Sequence, residues 1–294
     1  MEIRTLRYFL AVAREENMTR AAEILHVTQP TLSKQLKSLE DELGKKLFTR
    51  HSFSIKLTEE GLLLKNRAED LVSMADKIEN EFTALDDITG GDLYFGLAES
   101  FRIRLLAREL NKFKQKYPGL HYFITSGDTE QVSEKLDKGL LDFAVFAQTP
   151  DSSKYESLLF PESDIWGVVM PADSDLAHYK SIKPKDLIGI PLFCSGQGWE
   201  HDISHWAGKY IDQYHLEGTF KLSYNASLFA KENLGYLLTF DKIVDTSKES
   251  GLVFRPLDPT LETNLYLVWK KHPAFSPIAG RFLDQIRESF EKYK

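Results

Sequence analysis

The chain has 294 residues, of which 42% are hydrophobic and 28% charged, a composition typical of a soluble globular protein with two or three compact units. No apolar stretch approaches the length of a membrane span, and the single cysteine, Cys194, excludes an internal disulfide framework and fits the reducing cytoplasm. The net charge of −7 is unevenly divided, because residues 1–58 carry ten Lys and Arg against seven Asp and Glu, whereas the remainder carries 27 against 37.

The first predicted elements are two helices. Apolar residues of the first recur at helical spacing and are Leu6, Phe9, Leu10 and Ala13. The second is short, and Thr19 is placed to cap it. Its small inner face, which lets another helix cross closely, consists of Ala21, Ala22 and Leu25.

The third helix carries the most informative pattern in the chain. Thr28 is placed to cap it, and Pro30 lies in its first turn, where no intrahelical hydrogen bond is lost. Its apolar face consists of Leu32, Leu36, Leu39 and Leu43. The opposite face offers lysines and short polar side chains, the groups that bind base edges and phosphates. The candidate DNA contacts on this helix pair are Thr19, Gln29, Thr31, Ser33, Lys34 and Lys37.

Two short strands follow the third helix, which ends at Gly44. The first runs to Arg50, the second spans Ile55–Leu57, and the tip between them is His51–Ser54. The helix pair alone also suits an ordinary helical hairpin. Three helices with a two-stranded wing instead predict a winged helix-turn-helix domain, which binds DNA.

This N-terminal region resembles that of LysR-type transcriptional regulators over about residues 1–62. The residues that carry the resemblance include Ala21-Ala22, Thr28-Gln29-Pro30, Leu32-Ser33-Lys34-Gln35, Leu43-Gly44 and Leu57-Thr58. It implies that the third helix reads DNA through Gln29, Pro30, Thr31, Ser33 and Lys34, and that Arg50 contacts phosphate from the wing. The tip departs from the family pattern because it lacks the extra basic residue that many relatives have there.

A long helix is predicted from Thr58 to Asp86, about 43 Å at 1.5 Å per residue. Its heptad seam consists of Leu64, Ala68, Leu71, Ala75, Ile78, Phe82 and Leu85. A helix of this length needs a partner, and the simplest is the same helix of a second copy, with Gly90-Gly91 as the hinge. Two-fold pairing predicts an operator that is an interrupted inverted repeat. The family resemblance implies dimers or tetramers, and contact with RNA polymerase if the protein is an activator.

The remainder is predicted to be an α/β module. Its predicted strands are Leu93–Leu97, Leu120–Thr125, Leu141–Phe146, Ile165–Met170, Ile190–Cys194, Thr219–Tyr224, Leu252–Arg255 and Leu265–Trp269. Helices are expected at 102–117, 129–138, near 200–215, near 227–234 and at 276–292. The alternation favours parallel strands in two lobes, which resembles a periplasmic-binding-protein-like effector domain. The predicted domains are 1–58 for DNA binding, 59–90 for the linker, and 91–294 for the effector, with lobe 1 at 91–162 and 268–294 and lobe 2 at 163–267.

Ligands of wound α/β sheets lie at the carboxyl ends of the strands. Ser100, Thr129 and Ser195 fall where the family resemblance implies effector contacts, and Gln148, Gln197 and Trp199 follow from the strand ends. Simple helix capping is the alternative role for each serine and threonine. Hydroxyls and free N–H groups at helix starts indicate a small carboxylate or other anion as the effector.

No catalytic, metal or cofactor motif is recognisable. His201 and His205 are four residues apart, but no HExxH motif accompanies them. Cys194 is expected to be a small buried side chain, with a redox sensor as the alternative. Two other functions remain to be separated by experiment: a cytoplasmic solute-binding protein whose N-terminal hairpin mediates assembly, and an enzyme that uses the cleft between the lobes.

Overall fold

A computed structural model of the chain describes residues 1–50, 55–84, 89–273 and 275–292, with Arg50 and Ala84 described by their backbone. It divides into two compact units, Met1–Asp86 and Asp87–Lys294. In the part of the chain so described, no helix combines the length and apolar character needed to span a bilayer. The predicted wing tip His51–Ser54, the phosphate contact from the Arg50 side chain, and Leu85 of the predicted seam lie outside the described residues.

The N-terminal unit is a winged helix-turn-helix followed by a long helix, as predicted. Its helices are α1 (Ile3–Glu15), α2 (Met18–Ile24), α3 (Gln29–Leu43) and α4 (Glu59–Ala84). Strands β1 (Phe48–Arg50) and β2 (Ile55–Leu57) form an antiparallel pair.

Local side chains determine where the two helices of the motif begin. Asn17, and not Thr19 as predicted, caps α2, because its Oδ1 accepts hydrogen bonds from the backbone N–H groups of Thr19 and Arg20, both at 3.0 Å. Thr19 lies inside the first turn. The prediction for α3 is confirmed: Thr28 Oγ1 accepts from the Thr31 N–H, and Gly44 ends the helix with a φ of 64°.

The apolar face of α3 packs into the core of the N-terminal unit. Leu32, Leu36 and Leu39 are buried with Leu6 and Phe9 of α1. Leu43 was predicted to share this face, but it is 40% exposed. It occupies the last turn of α3, beyond the reach of the core cluster.

The predicted seam of α4 is divided between two environments. Thr58 Oγ1 caps the helix by accepting from the Gly61 N–H at 3.0 Å. Ala68 is fully buried in the core of its own unit, with Leu64 partly buried beside it. The assignment of Ala68 to a seam between two copies is therefore wrong, because α1 of the same chain already packs on this part of α4. Of the later seam residues, Ala75 is half-buried, whereas Leu71, Ile78 and Phe82 are exposed.

The C-terminal unit contains two sheets, each the centre of one lobe. Lobe 1 has β3 (Gly90–Leu97), β4 (Gly119–Ser126), β5 (Phe143–Phe146), β6 (Tyr155–Leu159) and β13 (Tyr266–Lys270), in the order β4-β3-β5-β13-β6. Lobe 2 has β7 (Asp164–Pro171), β8 (Pro191–Ser195), β9 (His215–Phe220), β10 (Tyr236–Phe240) and β11 (Leu252–Pro256), in the order β11-β7-β10-β8-β9, with β12 (Glu262–Thr263) paired to β7. The helices are α5 (Ile103–Lys116), α6 (Thr129–Asp137), α7 (Gly196–Gly198), α8 (Ser204–Ala207), α9 (Ser223–Lys231) and α10 (Pro277–Glu291).

Both sheets are mixed. β3 pairs in parallel with β4 and β5, as the predicted crossovers require, but the returning strand β13 is antiparallel to its neighbours. In lobe 2, β8 is parallel to β9 and β10, whereas β7 is antiparallel to β10 and β11. The fold is thus the predicted two-lobed α/β architecture in which the chain returns to lobe 1.

Several boundaries differ from the predictions. Strands β6, β10 and β12 were not predicted, and Ser223 and Tyr224 are helical instead of extended. The single helix expected near 200–215 is a series of short turns, because α7 is followed by a π-helical turn, then α8, then a 3-10 turn. Gly90 and Gly91 are not a free hinge, since they pair with Gly119 and Leu120 as the first residues of β3.

Candidate functional site

The outer face of α3 carries the candidate DNA-binding side chains. Gln29, Pro30, Thr31, Lys34 and Lys37 are exposed. Ser33 is half-buried, and Thr19 is exposed at the start of α2. The same helix therefore buries its leucines in the protein and presents amide, hydroxyl and ammonium groups to the solvent.

Ion pairing distinguishes the two lysines of α3 from four other cations of the N-terminal unit. Arg7, Arg20, Lys45 and Lys46 form ion pairs with Asp76, Glu15, Glu60 and Glu40, respectively. Within the residues that the structure describes, Lys34 and Lys37 have no carboxylate within ion-pair distance. They are therefore available to phosphate groups without the loss of an internal partner.

Glu40 joins α3 to the wing, a role that the sequence analysis missed. Its Oε2 accepts from Lys46 Nζ at 2.7 Å, and its Oε1 accepts from the Leu47 N–H at 2.9 Å. Burial acts to raise the pKa of Glu40, but these bonds outweigh it and lower the pKa below its ordinary value. The carboxylate thus stays ionised and holds the start of β1 against the end of α3.

A cavity of about 470 Å³ lies between the two lobes of the C-terminal unit. Lobe 1 contributes the residues that follow β3, β4 and β5, and lobe 2 contributes the end of β8 with α7. Its apolar walls include Trp166, Phe220, Leu238, Phe240 and Ile243. A cavity of this size and lining suits a small organic molecule.

The six predicted effector contacts divide into two groups. Thr129, Ser195 and Gln197 line the cavity. Ser100, Gln148 and Trp199 are not among its lining residues.

Local structure explains two of these differences. Ser100 Oγ accepts from the Arg102 N–H at 2.9 Å in the turn before α5, so this oxygen already has a local donor. Trp199 packs instead against the core of lobe 2, where its ring centroid is 6.3 Å from that of Tyr214.

Direct contacts between residues that line the cavity connect the two lobes. Gln197 Nε2 donates to Thr129 Oγ1 at 3.1 Å, and the Thr129 N–H donates to Gln197 Oε1 at 3.3 Å. Lys221 pairs with Asp128 at 2.9 Å. These contacts connect the start of α6 in lobe 1 with α7 and the residue after β9 in lobe 2.

A buried guanidinium outside the cavity lining also connects the lobes. Arg102 Nη1 lies 3.1 Å from Asp241 and 3.6 Å from Asp164, and its Nε donates to the Ser163 carbonyl at 2.9 Å. The Arg102 side chain is 6% exposed and that of Asp164 is 0% exposed. Burial raises the pKa of Asp164 to about 6, although Arg102 acts to lower it.

Carboxylates dominate the charges that line the cavity. These are Glu99, Asp128 and Asp202, against the single ammonium of Lys221, which pairs with Asp128. Asp202 Oδ1 accepts from Thr263 Oγ1 at 3.0 Å, and burial raises the pKa of Asp202. An anion as the effector, as the sequence analysis expected, would therefore meet like charge.

Cys194 is fully buried in the core of lobe 2, which confirms the prediction of a small buried side chain. Burial raises the pKa of its thiol, so the reactive thiolate is disfavoured. His205 Nδ1 contacts the His201 carbonyl in the next turn of the same segment. Within the described ranges, no group of three or more His, Cys, Asp or Glu side chains is arranged to hold a metal ion.

Comparisons with known proteins match both units. Residues 3–62 match the family described as the bacterial regulatory helix-turn-helix protein, lysR family, and residues 88–291 match the LysR substrate binding domain. A hydrogen peroxide-inducible genes activator from Pectobacterium carotovorum subsp. carotovorum is 31% identical over 100% of this chain and 98% of its own length. The Hca operon transcriptional activator HcaR of Escherichia coli (strain K12) is 35% identical over 65% of this chain and 64% of HcaR.

The fold also matches solved structures. Full-length CbnR in complex with its target DNA covers 98% of this chain and 100% of CbnR, with a TM-score of 0.78 and 21% identity. At this identity the match concerns the fold alone, and it includes both units of the chain.

Proposed function

This chain belongs to the LysR family of transcriptional regulators, and we propose that it binds operator DNA through α3 of paired copies and senses a small molecule in the cavity between its lobes. In this proposal residues 1–58 bind DNA, residues 59–90 pair two copies, and residues 91–294 bind the effector. A ligand regulates the protein only if it binds one arrangement of the two copies better than another. The protein would work in the cytoplasm, where the chromosome is.

One observation carries the DNA-binding proposal. The face of α3 opposite the buried leucines is exposed and carries Lys34 and Lys37, neither of which has an ion-pair partner among the described residues. Phosphate binding by lysine releases counterions and supplies most of the affinity that is independent of sequence. DNase I footprinting of the regulator on its own promoter region tests the proposal. A specific footprint of two half-sites is expected, and full effector binding without any footprint would favour a solute-binding protein instead.

Gln29→Ala is expected to relax sequence preference. If Gln29 donates to and accepts from one base edge, its loss reduces discrimination at that base pair by about 1–3 kcal/mol per half-site, with little change in non-specific affinity. A competition gel-shift with operators that differ at single positions measures this. Asn66→Ala on the exposed surface of α4 is the control. Unchanged discrimination in Gln29→Ala would remove Gln29 from the set of base contacts.

Lys34→Ala is expected to weaken binding to all DNA sequences alike. The slope of log K against log salt should become less negative by about 1 for each protomer, because one phosphate contact is lost. Lys65→Ala, which removes a half-buried lysine of α4 that pairs with Glu69, should leave the slope unchanged. Equal slopes for Lys34→Ala and the unmodified protein would contradict a phosphate contact.

The exposed part of α4 supports pairing of two copies. Leu71, Ile78 and Phe82 are 44%, 46% and 69% exposed and follow the heptad spacing of a coiled-coil seam. Two-fold pairing through this seam would place two α3 helices toward one side of a duplex, which requires an operator built as an interrupted inverted repeat. Both dimers and pairs of dimers are compatible with this seam. An activator of this type would also contact RNA polymerase.

We propose no enzymatic activity and no peroxide sensing. Relatives of this chain are named as transcriptional regulators, and the Pectobacterium relative is named for hydrogen peroxide. The sequence contains one cysteine, and its buried thiol has a raised pKa, so this cysteine does not favour the same signal.

A further inference from the structure

The charges of the cavity point to the chemical class of the effector. We propose that the effector is a small organic cation, an amine or amidine on an apolar body, whose positive group binds the carboxylates of Glu99 and Asp202. This inference rests on the proposed sensing function of the cavity.

Three groups at or beside the cavity that would attract an anion already have partners within the protein. The Thr129 N–H at the start of α6 donates to Gln197 Oε1, and the Gln131 N–H donates to Asp128 Oδ1 at 2.9 Å. Asp128 also neutralises Lys221 and lies at the positive end of the α6 dipole. An incoming carboxylate would have to displace these contacts before these groups could bind it.

The two remaining carboxylates lack an opposite charge. Glu99 Oε2 accepts from the backbone N–H of Ser223, and Asp202 accepts from the Thr263 hydroxyl. In the part of the chain that the structure describes, neither forms an ion pair. His201 and His205 lie near Asp202, but they are exposed and do not line the cavity.

Desolvation makes the unpaired charge of Asp202 costly. Burial disfavours the charged form of Asp202 and raises its pKa, and a bound cation would reverse that effect. A charged group that is partly withdrawn from water is stabilised by an opposite charge with hydrogen bonds to it. An ammonium or amidinium ion supplies both.

The walls of the cavity suit the rest of such a molecule. Trp166, Phe220 and Phe240 present aromatic rings, and Leu238 and Ile243 are aliphatic. Aromatic faces attract cations in addition to apolar groups. The volume of 470 Å³ lies in the lower part of the range for small-molecule sites, so the ligand would have about one ring with a short side chain.

A matched pair of probes tests the sign of the charge. The full chain is titrated at pH 7 with 2-phenylethylamine and with 3-phenylpropionate, and then with benzylamine and benzoate. Binding is followed by calorimetry and by tryptophan fluorescence during heating. All four tryptophans, Trp166, Trp199, Trp206 and Trp269, lie in the C-terminal unit, so the fluorescence reports on that unit alone. The amines are expected to bind at least about tenfold more tightly than the matching carboxylates.

Two variants locate the contact. Glu99→Gln and Asp202→Asn keep the size of each side chain and remove its charge. We expect at least one of them to weaken amine binding about tenfold or more while carboxylate binding stays the same or improves. Glu134→Gln removes an exposed carboxylate of α6 outside the cavity and is the matched control, with no expected change.

The inference is overturned if the carboxylates bind more tightly than the amines, if neither amine binds, or if amine affinity is unchanged in both variants. The comparison of amine with carboxylate uses the unmodified protein, so it stands even if a variant fails to fold. The footprint on DNA is measured on the same protein. An intact footprint without amine binding rejects this ligand class alone, whereas loss of the footprint rejects the proposed regulator.

Discussion

Replacing Arg102 by Gln is expected to lower the free energy of unfolding of the C-terminal unit by about 3–5 kcal/mol. Arg102 is the buried cation between the lobes, with Asp164 and Asp241 within 3.6 Å of its guanidinium. The loss of the cation leaves two carboxylates close together in a site that excludes water. Urea unfolding followed by tryptophan fluorescence measures the effect, because every tryptophan belongs to this unit.

Arg104→Gln is the matched control for Arg102→Gln. Arg104 also pairs with a carboxylate, Glu162, but the two side chains are 37% and 40% exposed. Ion pairs with this exposure contribute about 0–1 kcal/mol because water screens them. If both variants lost the same small stability, the buried network would not be what joins the lobes.

Replacing Leu32 by Ala is expected to destabilise the N-terminal unit by about 2–5 kcal/mol and to abolish operator binding at ordinary protein concentrations. Leu32 is fully buried among the side chains of α1 and α2, and its truncation leaves a cavity below the proposed reading helix. Far-UV circular dichroism and a gel-shift assay measure the two effects. Tryptophan fluorescence should be unchanged, since this unit contains no tryptophan.

Leu43→Ala tests whether burial or sequence spacing decides how much a leucine of α3 contributes to stability. Leu43 continues the spacing of Leu32, Leu36 and Leu39, but it is 40% exposed. We expect a loss of about 0.5 kcal/mol or less and intact DNA binding, as for most exposed substitutions. A loss as large as that of Leu32→Ala would show that Leu43 packs in the core.

The sequence was most informative where structure depends on near neighbours. The leucine spacing of α3, the hydroxyl of Thr28 and the glycine at position 44 act within one or two turns of a helix, and each has the predicted role. Asn17 shows the limit of such reasoning, because two side chains could begin α2 and only the one outside the helix can reach its free N–H groups.

Strands that lie inside a sheet were harder to predict. β10 lies between β7 and β8 in the sheet, and its three central residues are all buried. It therefore has no alternation of apolar and polar residues and lacks the period-two signal. The segment after β8 has the opposite difficulty. One helix was predicted near 200–215, but the segment packs against the core of lobe 2 as several short turns.

What the sequence by itself determined was the family, the winged helix-turn-helix, the long α4 and the two-lobed α/β architecture, since these follow from periodicity and local motifs. Tertiary structure decided which predicted residues are accessible and what the cavity offers to a ligand. Ala68 cannot belong to the pairing seam because α1 covers it. Arg102 contacts Asp241, which lies 139 positions away in the chain. Burial and ion pairing depend on residues that are close in space and far apart in sequence, so no local pattern encodes them.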